Sequence, residues 1–215
     1  MTDVAPRALR SDAERNRGLV LEAAAAAFAE EGLEVGMAEI ARRAGVGNAT
    51  VFRRFATKDA LVEAIFDAKI AELIAAAQRA ARVEDPWQAL VEFLETMAEL
   101  QGRDRGFFQA TEQFLLDHPD LLRRHRPIID AVTPLIERAQ AAGVVRDDVT
   151  TLDVVGLVKG SVACLPPSPD LRNDGWRRYL ALLLDALRPA AATPLPVPPL
   201  TYEEIERALG IAQAS

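Results

Sequence analysis

Apolar residues recur at three- and four-residue spacing along nearly the whole chain, with no sustained alternation and no turn pair set between alternating runs. That period is helical, because side chains i, i+3, i+4 and i+7 share one helix face, whereas a half-buried strand alternates every two residues. The sequence therefore predicts an all-α fold. No internal repeat of fixed period interrupts it. At 215 residues the chain has room for a small and a medium helical domain, each able to bury a core without disulfide or metal.

The first helix is expected to start near Ser11 or Asp12, with Ser11 and Glu14 at capping-box spacing, and to end at Gly32. Leu21, Ala24, Ala25 and Phe28 form its apolar stripe. A second helix is expected over about 38–44, carrying Ile40 and Ala41 inward, and Gly45-Val46-Gly47 breaks it. A third follows over 48–55 with Val51 and Phe55 one turn apart. A fourth, capped by Thr57, runs to about residue 82. Further helices are expected near 87–100, 105–116, 119–141, 152–165 and 175–188, with Pro127 and Pro134 kinking or splitting the third of these. Prolines over 189–199 predict an extended spacer. A short final helix follows, with Thr201 and Glu204 as capping box ahead of Ile205 and Leu209.

Charge is unevenly placed. The chain carries a net −7, yet residues 1–60 hold nine basic and nine acidic residues, so the deficit lies in the remainder. Screening confines each patch to roughly 8 Å, so the first sixty residues retain a chance of meeting an anionic partner that the total charge argues against. Cys164 has no second cysteine to pair with, which suits a reducing compartment and places the chain in the cytoplasm. The apolar run 21–29 is bounded by Glu30 and Glu31 and falls short of the roughly 20 residues of a membrane span, so no membrane partner is expected. With two histidines, one cysteine, no Glu-x-x-His pair and no glycine-rich phosphate loop, no catalytic residue, metal or cofactor is expected.

Two short helices joined by Gly45-Val46-Gly47 match a helix-turn-helix, in which glycine permits the tight turn and Ala41 lets the helices cross closely. Asn48, Ala49, Thr50, Phe52, Arg53 and Arg54 fall on or beside the outer face of the third helix. A DNA major groove about 12 Å wide admits such a helix. Over roughly 10–73 the chain resembles the TetR family of regulators, most specifically in Glu39-Ile40-Ala41-Arg42-Arg43-Ala44-Gly45-Val46-Gly47-Asn48-Ala49-Thr50-Val51-Phe52-Arg53-Arg54-Phe55. Phe28-Ala29-Glu30-Glu31-Gly32 and Thr57-Lys58-Asp59-Ala60-Leu61 extend the resemblance to four helices.

The resemblance implies base or phosphate contacts from Asn48, Ala49, Thr50, Phe52, Arg53 and Arg54, with Lys58 on a phosphate. Two positions depart from it: Phe52 stands where the family usually has a phosphate-binding tyrosine, and Gly36 where a phosphate-binding threonine is common. Arg53 is the candidate to read guanine, since its fork matches the O6 and N7 acceptors, and Asn48 the candidate to read adenine. Arg42 and Arg43 read as helix-surface charges. Arg7, Arg10, Arg15 and Arg17 supply either an arm toward DNA or a disordered tail.

Beyond residue 82 the resemblance implies an effector pocket and a dimer interface. Trp87, Phe93, Met97, Phe107, Phe108 and Phe114 suit an apolar pocket, with His118 beside them, although each is more simply core. Cys164 reads as a small buried hydrophobe. Trp176, Tyr179, Leu180, Leu183, Leu184 and Leu187 form a broad stripe, and Gly156 with Gly160 permits close helix approach, so these are the dimer candidates; contact within one chain is the simpler alternative. The expected plan is a flexible basic arm (1–10), a helix-turn-helix DNA-binding domain (11–57), a connecting helix (58–82), a ligand-binding and dimerisation domain (83–188), a proline-rich linker (189–200) and a C-terminal helix (201–215). The function implied is a homodimeric repressor on double-stranded DNA, released from a palindromic operator by a small-molecule effector. The alternatives are a helical protein-interaction module without DNA binding and, least favoured, a helical enzyme.

Overall fold

The computed structural model describes residues 5–111, 114, 117–118, 126–164 and 175–208, all helical or irregular and none in a strand. The chain divides into two compact units, one comprising 1–69 with 106–113 and the other 70–105 with 114–215.

The first unit contains α1 (Ala5–Glu31), α2 (Met37–Arg43), α3 (Asn48–Arg54), the beginning of α4 (Lys58–Ala80), and α6 (Arg105–Ala110) from Gly106 onward. α1 starts well before Ser11, so the backbone of residues 5–10 is helical rather than a flexible arm. Pro6 fits a first helical turn, and Arg7, Ala8, Leu9 and Arg10 are strong helix formers that carry the helix past the Ser11 capping signal. Ser11 therefore lies inside the helix. The core joins Val20, Leu21, Ala24, Ala27 and Phe28 of α1 to Ile40, Ala41, Val51, Phe55, Leu61, Ile65 and Phe66.

Phe107 completes that core. It is 1 % exposed, and its ring centroid lies 5.1 Å from that of Phe66 and 6.5 Å from that of Phe28. Phe108 packs edge-on against it at 5.7 Å, with Lys69 Nζ 5.3 Å from the Phe107 centroid. Gly106 makes the approach possible, since a Cβ there would stand 2.7 Å from Ala29 Cβ. Phe107 and Phe108, expected in the second domain, thus belong to the first unit: the chain returns to it directly after α5.

The second unit contains the rest of α4, α5 (Pro86–Arg103), α7 (Arg126–Ala141), α8 (Thr151–Ala163), α9 (Trp176–Ala186), a 3-10 turn (Pro189–Ala191) and α10 (Tyr202–Ala208). α5 is the central helix and packs against α7, α8 and α9. Its Leu90, Phe93, Leu94 and Met97 share a core with Val132, Leu135, Ile136, Val154, Val158, Trp176 and Leu180. Asp85 caps it by accepting from the Gln88 amide at 2.7 Å, with Pro86 in the first turn, where no intrahelical donor is needed. α8 has a capping box of Thr150 and Asp153.

Pro134 does not split α7, which is continuous through it. Pro134 lies on the exposed face, as does Asp130, whose carbonyl it deprives of a donor, and Pro127 falls in the first turn. The expected helical stretch 119–125, and residues 112–113, 115–116, 165 and 209, lie outside the described residues.

The tail is held at both ends of its proline run. Arg146 Nη2 donates to the Thr193 carbonyl at 2.6 Å, and its backbone amide to the Leu187 carbonyl at 2.9 Å. The Thr201–Glu204 capping box forms as expected: the Glu204 amide donates to Thr201 Oγ1 at 3.2 Å and the Thr201 amide to Glu204 Oε2 at 2.7 Å. Arg126 lies 4.8 Å from the Tyr202 ring centroid, which docks α10 on the start of α7. The spacer departs from expectation only in its first residues, which wind into the 3-10 turn. No described helix is long and apolar enough to cross a membrane.

Candidate nucleic-acid interface

The α2–α3 crossing is built from the turn outward. Gly45 adopts φ +67°, a left-handed conformation that side-chain-bearing residues rarely take, and lets the Val46 amide reach the Ala41 carbonyl at 3.1 Å. Val51 is fully buried and Phe55 is 5 % exposed, so α3 is held by one face. Its other face carries Asn48, Ala49, Phe52, Arg53 and Arg54, all exposed, with Thr50 half-buried at the edge. Phe52 stands 48 % exposed. The sequence-predicted reading residues are thus brought together on one surface.

The basic residues separate into two groups. Arg43 Nη1 binds Glu30 at 2.7 Å, its Nη2 binds Glu31, and its Nε binds Glu39 at 2.9 Å, tying α2 to the end of α1. Arg42 closes on Glu39 through Nη2 at 2.6 Å and Nε at 2.8 Å. Arg53, by contrast, makes no hydrogen bond or ion pair among the described residues. Arg42 is an exposed charge paired within its own helix and Arg43 is half-buried among three carboxylates, while Arg53 keeps its guanidinium fork available. Lys58, half-buried, donates to the Leu33 carbonyl. Gly36 is the N-cap of α2 without a side-chain cap, and nothing lies within 4 Å of where its Cβ would stand.

The hydrogen bonds from Arg42 and then Arg43 hold the Glu39 carboxyl at about 2 instead of 4.5. A depressed carboxyl contributes its stabilisation in full above about 4.5 and loses it as pH falls toward about 2. The urea midpoint of the wild-type chain is therefore expected to fall more steeply across that window than that of Glu39→Gln, the two curves differing most at neutral pH. Parallel curves would show that Glu39 carries no such linkage.

The residues expected to form an effector pocket are not all brought together. Phe93 and Met97 are buried in the core of the second unit, and Trp87 is half-buried under Arg188, whose guanidinium lies 3.4 Å from the ring centroid. Phe114 stacks on His118 at 4.1 Å, and His118 Nδ1 lies 2.9 Å from the Phe114 carbonyl. Phe107 and Phe108 are in the other unit.

The dimer candidates divide likewise. Trp176, Leu180, Leu183 and Leu187 face the core of their own chain and Leu184 is half-buried, so that part of the stripe is intramolecular. Tyr179 remains exposed, as do Gly156 and Gly160, whose Cβ positions open onto empty space. Leu157 and Leu182, 52 % and 57 % exposed, join them and were not anticipated. Cys164 is exposed rather than buried, because it continues the Gly156–Gly160 face at four-residue spacing. Among the described residues no cluster of His, Cys, Asp or Glu is arranged to hold a metal.

Comparison with known proteins bears on both units. Residues 20–65 match the family model described as bacterial regulatory proteins, tetR family, and residues 85–189 match that of transcriptional regulator SbtR-like, C-terminal domain. A TetR transcriptional regulator from Streptomyces coelicolor is 32% identical, with 81% of this chain and 99% of that one covered and a TM-score of 0.65. A TetR transcription regulatory protein from Mycobacterium vanbaalenii is 34% identical, with 84% and 99% covered and a TM-score of 0.62. The transcriptional regulator FadR of Bacillus subtilis, solved in complex with stearoyl-CoA, shares the fold at 16% identity, with 81% and 98% covered and a TM-score of 0.64. With both units matched and such relatives covered along nearly their whole length, this chain belongs to the TetR family of bacterial DNA-binding transcriptional regulators and is not an enzyme.

Proposed function

We propose that the chain is a repressor that binds a palindromic operator as a homodimer and leaves it when a small-molecule effector occupies the second unit. The observation that carries this reading is the outer face of α3, where Asn48, Ala49, Phe52, Arg53 and Arg54 stand exposed while Arg42 and Arg43 are held by carboxylates. Asn48, Thr50, Arg53 and Arg54 contact bases or phosphates, Ala49 and Phe52 contact the apolar parts of the groove, and Lys58 adds a phosphate contact. Repression follows from occupancy, since a dimer seated on a promoter excludes polymerase.

Dimerisation uses the exposed face of α8 and α9, where Gly156, Leu157, Gly160, Tyr179 and Leu182 lie open, so that two helices from each protomer form a four-helix contact. The resulting two-fold axis makes the operator palindromic, with half-sites about 34–36 Å apart. The complex of FadR with stearoyl-CoA, at the level of a shared fold, supports a small-molecule effector. α4 contributes residues to both units and is the connecting element, with a coupling of about 1–3 kcal/mol, or about 5- to 150-fold in operator affinity. The lone cysteine and the DNA target support a cytoplasmic location.

Selection from a library of random duplexes at two salt concentrations tests the reading. An enriched palindrome whose retention weakens with salt is the expected result. No enrichment at either salt would overturn it in favour of a protein-interaction module.

A further inference from the structure

We propose that α9 packs antiparallel on the α9 of a second copy of this chain, with Arg178 paired to the partner's Asp185 and Leu182 set against the partner's Ala181. The proposal rests on the homodimer reading above and names the contact within it.

α9 has two opposite faces. Trp176, Leu180, Leu183 and Leu187 are buried in their own chain. At about 100° per residue, Arg178 and Asp185 stand within about 20° of each other on the side directly away from that core, with Ala181 and Leu182 on either side of the line that joins them. All four are exposed. Neither Arg178 nor Asp185 makes a side-chain hydrogen bond or ion pair among the described residues. Nor are they placed to pair with each other, since seven residues separate them by about 10.5 Å along the axis, whereas ion pairs on a helix close at three or four residues. The neighbouring arginines are engaged within the chain: Arg177 lies 4.4 Å from the Trp176 ring centroid and Arg188 3.4 Å from that of Trp87.

The order Arg178, Ala181, Leu182, Asp185 is complementary to its own reverse. A two-fold axis crossing the helix between residues 181 and 182 sets Arg178 against the partner's Asp185 and Asp185 against the partner's Arg178. The same axis sets each leucine against an alanine, which leaves room for it at the roughly 8–10 Å separation of packed helices. A parallel pairing about an axis along the helix opposes arginine to arginine and aspartate to aspartate. Charge complementarity therefore selects both the direction and the occupant, because a second copy carries the matching array on its own α9.

The test uses the full-length chain in sedimentation equilibrium and native mass spectrometry. Each ion pair occurs twice in the dimer, so at about threefold per reversed pair Arg178→Glu and Asp185→Arg are each expected to weaken dimerisation about tenfold. The double variant exchanges the signs of both pairs and is expected to dimerise within about threefold of wild type. In a mixture of the two single variants, both contacts of the heterodimer join unlike charges, so heterodimers are expected to exceed the roughly one-half share of random association. Such rescue cannot arise from misfolding of either variant. Single variants that dimerise as the wild type does, or a double variant and a mixture as weak as the single variants, would overturn the proposal. A wild-type dimer indifferent to these reversals leaves the homodimer reading in place and removes only the α9 contact, whereas a monomeric wild type removes both.

Discussion

Arg53→Ala is expected to lower operator affinity by about 5- to 150-fold, the counterpart of about 1–3 kcal/mol for a bidentate contact to a base edge, while leaving the melting temperature unchanged. The expectation follows from its place on α3: the side chain is exposed and bound to nothing described, so removing it disturbs no contact in the free protein. Anisotropy titrations against the selected operator and against duplexes changed at one base pair separate two roles. If Arg53 reads a base, discrimination at one position of each half-site relaxes. If it holds a phosphate, affinity falls evenly across sequences and the salt dependence flattens. Arg43→Ala supplies the contrast, because its three carboxylate partners lie within the first unit and its loss acts through stability. Equal affinity of Arg53→Ala and wild type would remove Arg53 from the interface.

Phe107→Ala is expected to destabilise the protein by about 3–5 kcal/mol, among the largest effects of any single truncation in this chain. Phe107 sits between Phe28 and Phe66, and Gly106 brings α6 too close to Ala29 for a larger residue to restore the contact. The cavity left would be lined by rings fixed on three different helices and is poorly placed to collapse. Urea unfolding with constant m-value measures the loss. An effector-lining aromatic would behave differently, sparing stability and weakening ligand binding. A loss below about 1 kcal/mol would therefore return Phe107 to the candidate pocket.

The parts legible in the sequence were those encoded locally. Gly45 and Gly47 bound the turn, Thr57 caps α4 through the Ala60 amide at 3.1 Å, and the Thr201–Glu204 box forms, because each signal acts within four residues. Ser11 with Glu14 shows the limit of such reasoning: the same spacing lies inside α1, since nothing upstream stops a run of strong helix formers. Longer-range facts had no local signature. The Arg43 contacts reach Glu30 and Glu31 across a loop, and helical periodicity says nothing about which surfaces meet. The stripe on α9 was equally ambiguous. Four of its apolar residues fill the core of their own chain, and a single sequence assigns the same pattern to a core or an interface with equal ease. Leu182 was missed because it lies off that stripe. Phe107 and Phe108 follow α5 in sequence but leave its unit in space.

The division of labour between the two faces of α3 bears on how regulators of this kind diversify. Val51 and Phe55 hold the helix, and the Glu39–Arg43 network fixes its neighbour, so folding stability resides in side chains that never approach a base. Asn48, Ala49, Phe52 and Arg53 stand exposed on the opposite face, outside that core and that network. After gene duplication such a surface is free to drift toward a new operator one substitution at a time, without passing through unfolded intermediates, and the same property makes it the place to graft a chosen specificity.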